Sequence, residues 1–307
     1  MSSESVPGTP ASADAVRHST PPARQLEPSR RVLLERRLRR RSLQWVLRAR
    51  ALDRRPRLDP DFIIVGAQKA GSTSLYAYLA AHPDVDQPLV KEINYFDLLA
   101  DRGHAWYRRH FPVRSDTRHI SGEASPMYMV HPYALERIAR DLPEVKVIAI
   151  LREPVSRLVS HYRHSVRLGH ETLALNEALR AEEERVARDL EALRRDPFHE
   201  ARAFEKFTYL RRSLYAPQVA RIQECFPGRS LFLRLENLTG TEELHPLCDF
   251  LGIRFDANIP FQAHNVNRAV PTPAVELIDA VSLERLREDA NLTTEMLGWA
   301  PWTFPSR

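Results

Sequence analysis

Residues 62–76 constrain the fold of this chain more than any other segment. The first four are apolar and mostly β-branched, which predicts a buried parallel strand. The segment then passes Gly66 and Gly71 and enters a helix at Ser72, so the backbone must turn sharply between strand and helix. A helix that begins after such a turn offers unpaired N–H groups and the positive end of its dipole. These features predict an anion-binding loop at the carboxyl end of a strand.

The position of a lysine distinguishes this loop from that of nucleotide triphosphatases. Their pattern, G-x-x-x-x-G-K-S/T, has a lysine directly after the second glycine. This chain has Ser72 there and carries its lysine inside the loop, as Lys69. Only four of the 45 basic residues are lysines, so a lysine in this loop stands out. A lysine is a compact point charge that suits a leaving-group oxygen. We expect Lys69 to act in chemistry; the alternative is an incidental solvated side chain.

A second anion-binding motif follows the predicted strand 145–151. In a triphosphatase the corresponding strand ends in an acidic residue that helps to hold Mg²⁺, but here it ends in Arg152. In the helix that follows, Ser156, Ser160 and His164 share one face. We expect Arg152 and Ser160 to bind a second phosphate and predict no metal site. The alternatives are a helix-capping or ion-paired arginine and a small packing residue.

Predicted strands and helices alternate through most of the chain. The strands are expected at 62–65, 85–89, 120–123, 145–151 and 230–235, and a helix is expected over 213–225, before the last of them. This alternation predicts an α/β fold: a parallel sheet flanked by helices. Because such sheets bind ligands at the carboxyl ends of their strands, both anion-binding motifs should lie at one edge.

The N-terminal part differs sharply in charge. Residues 1–58 have 14 arginines and five acids, a net charge of +9, which leaves −4 for 59–307 in a chain of net charge +5. We therefore predict a basic tail over 1–58 and one domain over 59–307. Within the tail, 1–29 are predicted to be disordered, and 30–50 to form a basic amphipathic helix. We expect this helix to contact an anionic membrane rather than nucleic acid; a solvated helix without a partner is the alternative.

The composition also bears on location. No apolar run is long enough to span a bilayer, and the N-terminus lacks the apolar stretch of a secretory signal. Cys225 and Cys248 have no metal-ligand spacing and are expected to be reduced thiols. We predict a cytoplasmic protein, peripheral at the inner face of the membrane if the helix binds there. The arginine-rich, lysine-poor composition favours a bacterial source.

Taken together, the motifs resemble those of sulfotransferases that use 3′-phosphoadenosine 5′-phosphosulfate (PAPS). The resemblance runs from about residue 62 to 251 and is nearest to the heparan sulfate N- and 3-O-sulfotransferases. It includes the motifs at 67–73 and 150–162. Further motifs of the family follow one another along the chain at 91–96, 103–107, 122–128 and 212–215. It implies a sulfotransferase fold with the architecture of P-loop kinases. It also implies transfer of a sulfuryl group from PAPS to a hydroxyl or amine of a glycan, glycolipid or small metabolite, without a metal.

The resemblance also implies a donor site. Lys69 would contact the oxygen that bridges phosphorus and sulfur, and Arg152 and Ser160 would hold the 3′-phosphate. The loop that holds the 5′-phosphosulfate would be Ala67, Gln68, Lys69, Ala70, Gly71, Ser72 and Thr73. The residues that would close over the nucleotide are Tyr215, Asn267 and Arg268.

On the acceptor side, Glu92 matches the general base of the glycan branch, with Glu123 as the second candidate. Lys91 would bind the sulfuryl oxygens or the acceptor. The residues expected to contact the acceptor are Lys91, Glu92, Trp106, Glu123 and Ser125. A carboxylate within hydrogen-bond reach suits this reaction, because the attacking hydroxyl or amine must lose a proton.

Some features depart from the heparan-modifying enzymes. Those enzymes carry a lysine where this chain has Ala124, and a C-terminal disulfide for which this chain has no cysteines. The net acidic domain also does not suit a polyanionic glycan. Two rival functions remain: a nucleotide kinase, which Mg²⁺ dependence would reveal, and a non-catalytic nucleotide-binding protein at a membrane.

Overall fold

A computed structural model describes residues 30–113, 119–238, 244–262 and 278–304. Within these ranges, five parallel strands form one sheet in the order β2-β3-β1-β4-β5. The strands are β1 (Phe62–Gly66), β2 (Val85–Asp86), β3 (Ile120–Ala124), β4 (Lys146–Leu151) and β5 (Ser230–Arg234).

Helices flank this sheet. They are α1 (Arg30–Leu52), α2 (Ser72–Ala80), α3 (His104–Arg108), α4 (Ala134–Asp141), α5 (Pro154–Arg167), α6 (Leu175–Arg195), α7 (Arg202–Phe207), α8 (Ala216–Cys225), α9 (Leu244–Leu251) and α10 (Ala280–Leu297). Short turns of 3₁₀ or π helix lie at Tyr95–Leu99, Ala100–Arg102, Arg211–Ser213 and Leu235–Asn237.

The predicted α/β architecture is confirmed, with two local differences. The predicted strand 85–89 is only two residues long, since Pro88 has no N–H with which to continue a ladder. The predicted helix 213–225 begins at Ala216, because a separate 3₁₀ turn occupies Arg211–Ser213 and a proline stands in the first turn of α8.

The centre of the sheet is the core of the domain. All five residues of β1 are buried, as a parallel strand covered on both faces requires. Strand β1 lies between β3 and β4, with Ile63 opposite Glu123 and Ile64 opposite Ile148. The carboxyl ends of these three strands are therefore neighbours, and the segments that follow them form the candidate site.

The last turns of α1 contact the domain. Leu47 is buried, and Arg50 donates hydrogen bonds to the carbonyl oxygens of Arg109 and Phe111 at 2.8 and 3.0 Å. Arg57 donates to the same Phe111 carbonyl at 3.1 Å. The helix expected over 30–50 is present, whereas residues 1–29 lie outside the described residues. None of the helices in the described ranges is both long and apolar enough to cross a membrane.

Candidate active site

The loop between β1 and α2 is held in a specific shape. The Ala67 N–H donates to the Ile150 carbonyl at 2.7 Å, which fastens the loop to β4. Lys69 and Gly71 adopt positive φ angles of 72° and 95°. The φ of 95° favours glycine at position 71, and a Cβ there would lie 2.5 Å from a methyl carbon of Leu235, whose side chain would have to move.

Helix α2 begins directly after this loop. Gly71 is its N-cap residue, and no side chain caps this end of the helix. Backbone N–H groups of the first turn can therefore bind an anion, with support from the helix dipole. Thr73, in the same turn, accepts a hydrogen bond from Lys91 Nζ at 3.1 Å.

Positive charges from distant parts of the chain gather at the loop. An Arg152 guanidinium nitrogen lies 3.4 Å from the Lys69 carbonyl oxygen, across 83 residues of sequence. Burial lowers the pKa of Lys69, and the charges of Arg167, Arg152 and Arg157 lower it further. A bound anion would relieve this repulsion, so the cluster suits a phosphate or sulfate group.

Two buried arginines lie beneath the loop, in segments that carry the resemblance but in which neither arginine was assigned a role. Arg157 donates to Ser213 Oγ at 2.6 Å and lies 3.5 Å from the Gln68 carbonyl oxygen, and Arg212 donates to the Gln68 side-chain oxygen. Burial lowers the pKa of Arg157 to about 10 and that of Arg212 to about 9. Neither arginine makes an ion pair within the described part of the chain.

The structure gives Tyr215 a different place from the predicted one. Its side chain is fully buried, and its hydroxyl donates to the Arg152 carbonyl oxygen at 3.0 Å. Tyr215 therefore supports the end of β4 from within the core rather than closing over a nucleotide. Asn267 and Arg268, the other two residues of that predicted closure, lie outside the described residues.

The helix α5 presents its predicted polar face next to the loop. Ser160 and His164 are both half-buried, and His164 Nδ1 accepts a hydrogen bond from Arg167 at 2.9 Å. Burial lowers the pKa of His164 to about 4, and Lys69, Arg167 and His170 contribute. His164 is therefore neutral at pH 7, and its other ring nitrogen carries a proton that can be donated.

Lys91 links the predicted base to the loop. Its Nζ lies 2.7 Å from Glu92 Oε1 and donates to Thr73 at the start of α2. The Glu92 side chain is 48% exposed, so an acceptor could approach its carboxylate. The structure thus brings Lys69, Lys91 and Glu92 to the same side of the sheet.

Glu123 and Ser125 lie below this surface rather than on it. Both side chains are fully buried, and Ser125 Oγ donates to Glu123 Oε2 at 2.7 Å. Burial raises the pKa of Glu123 to about 7. The prediction that these two residues contact an acceptor does not fit their positions. Trp106 is half-buried, with its ring packed against Tyr95 and His110.

The described residues include no group of three or more His, Cys, Asp or Glu side chains arranged to hold a metal ion. Cys248 is buried and Cys225 is partly buried, and both are free thiols.

A family model described as the sulfotransferase domain matches residues 59–293. Heparan sulfate glucosamine 3-O-sulfotransferase 3B1 of Mus musculus is 31% identical over 198 residues, which are 64% of this chain and 46% of that protein. Membrane-associated sulfotransferase kil1 of Dictyostelium discoideum is 36% identical over 110 residues, 35% of this chain and 23% of that protein. The chain thus spans less than half the length of these curated relatives.

A solved structure agrees with these matches. The crystal structure of a sulfotransferase from Alicyclobacillus acidocaldarius superposes with a TM-score of 0.57 at 26% identity, covering 79% of this chain and 97% of that one. The shared fold is the one expected from the alternation of strands and helices. The family match covers most of the chain and includes both anion-binding motifs, and the chain therefore belongs to the sulfotransferase family.

Proposed function

We propose that this protein is an enzyme that transfers a sulfuryl group from PAPS to a hydroxyl or amine of an acceptor. The observation that carries the proposal is the convergence of Lys69 and Arg152 on one loop, beside the uncapped N-terminus of α2. Lys91 and Glu92 lie next to this anion site, as a transfer reaction requires.

The residues present fit a donor with two separate anionic groups. The loop 67–73 supplies backbone N–H groups and Lys69 for the 5′-phosphosulfate. Arg152 would hold the 3′-phosphate from the carboxyl end of β4, and Ser160 from the middle of α5. Charge spreads onto the leaving oxygen during sulfuryl transfer, and Lys69 is placed to stabilise it.

The proton of the acceptor would go to Glu92. This carboxylate is half exposed and is held by Lys91, whose ammonium group also contacts Thr73. A hydroxyl bound between Glu92 and the loop could lose its proton as it attacks sulfur. We propose no metal ion for this step.

The acceptor would be a hydroxyl of a sugar, glycolipid or small metabolite that also carries an anionic group. A cleft of about 430 Å³ lies beside the end of α5, within electrostatic reach of His164. It is lined by Gly169, His170, Arg202, Ala203, Lys206 and Phe207. Arg202 in this lining is paired with Glu200 at 2.9 Å, so Lys206 is the cation that would favour a carboxylate, sulfate or phosphate on the acceptor.

A peripheral membrane location is part of the proposal. Leu38, Trp45 and Leu52 of α1 are exposed, with Trp45 at 70%. The helix has nine arginines over 30–50, and each cation near an anionic bilayer contributes about 1 kcal/mol. The relative from Dictyostelium discoideum is itself named as membrane-associated. A cytoplasmic protein attached in this way would act on acceptors near the membrane.

An acceptor screen with radiolabelled PAPS tests the proposed activity. We expect transfer of label to at least one sugar, glycolipid or small hydroxyl compound, at rates that EDTA does not change. A Mg²⁺-dependent transfer of phosphate from ATP would instead establish the kinase alternative. Tight nucleotide binding without transfer to any acceptor would favour the non-catalytic alternative.

A further inference from the structure

The backbone next to Glu92 is fastened to one buried carboxylate. The Ile93 N–H donates directly to Glu123 Oε2 at 3.3 Å. The Asn94 N–H donates to Ser125 Oγ at 3.3 Å, and this hydroxyl donates to Glu123 Oε2 at 2.7 Å. Two successive N–H groups therefore reach the same carboxylate oxygen, the second through a hydroxyl.

The next two N–H groups reach the other carboxylate oxygen. Those of Tyr95 and Phe96 donate to the Tyr128 hydroxyl at 2.8 and 3.4 Å, and this hydroxyl donates to Glu123 Oε1 at 3.2 Å. The Tyr107 hydroxyl donates to Oε1 at 2.7 Å. All four N–H groups of 93–96 thus end on Glu123, directly or through one hydroxyl.

This arrangement matches the capacity of a carboxylate. An ionised carboxylate has about four acceptor positions, and Glu123 receives one N–H and three hydroxyl hydrogen bonds. Glu123 is also fixed relative to the anion loop, because β3 places it opposite Ile63 of β1. The Ala124 N–H donates to the Lys91 carbonyl at 3.2 Å and fastens the other end of the segment.

We propose that Glu123 is a positioning residue that holds the segment 91–96, so that Lys91 and Glu92 face the N-terminus of α2. The effect on turnover rests on the proposed function of Glu92, whereas the effect on the backbone does not. Glu123 makes no contact with the acceptor in this role. It acts through the orientation of its neighbours.

Hydrogen–deuterium exchange tests the proposal without an activity assay. Glu123→Gln replaces one acceptor oxygen by an NH₂ group, so exchange at residues 93–96 should rise about tenfold for each hydrogen bond lost. Exchange in β4 should stay unchanged. Unaltered exchange at 93–96 in a folded Glu123→Gln protein would overturn the proposal.

Two further variants sharpen this test. Tyr128→Phe removes the acceptor of Tyr95 and Phe96, and should raise exchange there more than at Ile93. Tyr107→Phe removes one donor to Glu123 but no acceptor of the segment, and should change exchange least. If Glu123→Gln does not fold, Tyr128→Phe decides the question. If this substitution changes exchange at Tyr95 and Phe96 no more than at Ile93, the link of these amides to Glu123 through the Tyr128 hydroxyl is contradicted.

A double-mutant cycle tests the link to catalysis. Glu123→Gln should lower kcat about 10–100-fold with the KM for the nucleotide unchanged, since the loss of orientation affects the reacting geometry. In a Glu92→Gln background it should cause no further loss, because the two residues act as one unit. Additive losses would contradict a role through Glu92. If the wild-type protein transfers no sulfuryl group, the proposed function fails, while exchange still decides the positioning role.

Discussion

At the scale of single residues, the site depends on cations that gather at one loop, where the charges of Arg167, Arg152 and Arg157 act on Lys69. Lys69 is a non-glycine residue in the left-handed region, with a pKa lowered by burial and by three arginines. Such a backbone conformation costs free energy that the surrounding contacts must offset. A bound anion would relieve the repulsion between Lys69 and these arginines. We therefore expect substitution of Lys69 to affect turnover more than it affects the stability of the fold.

Lys69→Ala should lower kcat by roughly 10²–10³ with a modest change in nucleotide affinity, because the lysine stabilises charge that develops during transfer. Steady-state kinetics and calorimetry measure the two effects separately. Lys146→Ala is the matched control, since Lys146 begins β4 and so lies at the amino ends of the strands, away from the site at their carboxyl ends. A near-normal kcat in Lys69→Ala would show that the lysine has another role.

Glu92→Gln should lower kcat on the order of 10²–10⁴ while nucleotide binding stays intact, because the amide keeps the shape but cannot accept the proton. Single-turnover kinetics with saturating PAPS isolates this step. Wild-type turnover in this variant, together with an inactive Glu123→Gln, would mean that the other carboxylate is the base.

The stability of the protein should depend on the charge of Glu123. Burial raises its pKa from 4.5 to about 7 and so outweighs four hydrogen bonds that favour the ionised form of Glu123. The folded state therefore binds a proton more tightly than the unfolded state. This contribution is complete below pH 4.5 and is lost as pH rises through 7. Urea denaturation should show that the free energy of unfolding of the wild-type protein falls between pH 5 and pH 8. In Glu123→Gln this fall should be smaller by about 2–3 kcal/mol. An equal decline in both proteins would contradict the raised pKa.

At the scale of elements, the unit β1–loop–α2 could be predicted because it is local. A β-branched run, two spaced glycines and a hydroxyl-rich helix start are all visible in 15 residues of sequence. The alternation of strands and helices likewise predicted the sheet. The length of the strand at Val85 was predicted wrongly, because Pro88 lacks the N–H with which a strand over 85–89 would continue its ladder.

The supports of the site could not be predicted in this way. Arg212 contacts Gln68 across 144 residues of sequence, and no local period reveals such a pair. Tyr215 and Glu123 were assigned to ligands because polar groups in family motifs suggest contact, whereas the fold buries both. Their burial depends on how β3 and α8 pack, which the sequence of each segment alone does not determine.

At the scale of the whole molecule, charge is divided between a basic N-terminal part and a mildly acidic remainder. The contacts of Leu47, Arg50 and Arg57 show that the end of α1 packs on the domain. A truncation at residue 58 would therefore remove contacts of the folded part. A truncation within α1 separates membrane attachment from folding more cleanly.

Removal of residues 1–45 should abolish sedimentation with anionic liposomes at low salt, while nucleotide binding is retained, because the basic part of α1 and Trp45 are lost together. Removal of residues 1–29 is the matched control and should keep sedimentation. Should the full-length protein remain in the supernatant, the membrane contact proposed for α1 is absent.

The central claim is that this chain has two separate anion sites for one sulfated nucleotide. Calorimetry with 3′-phosphoadenosine 5′-phosphate and with AMP tests it most directly, because the two ligands differ only in the 3′-phosphate. The wild-type protein should bind the first much more tightly, and Arg152→Ala should weaken that binding about 10–100-fold, more than it weakens the binding of AMP. Equal affinity of the wild-type protein for the two nucleotides would contradict the account.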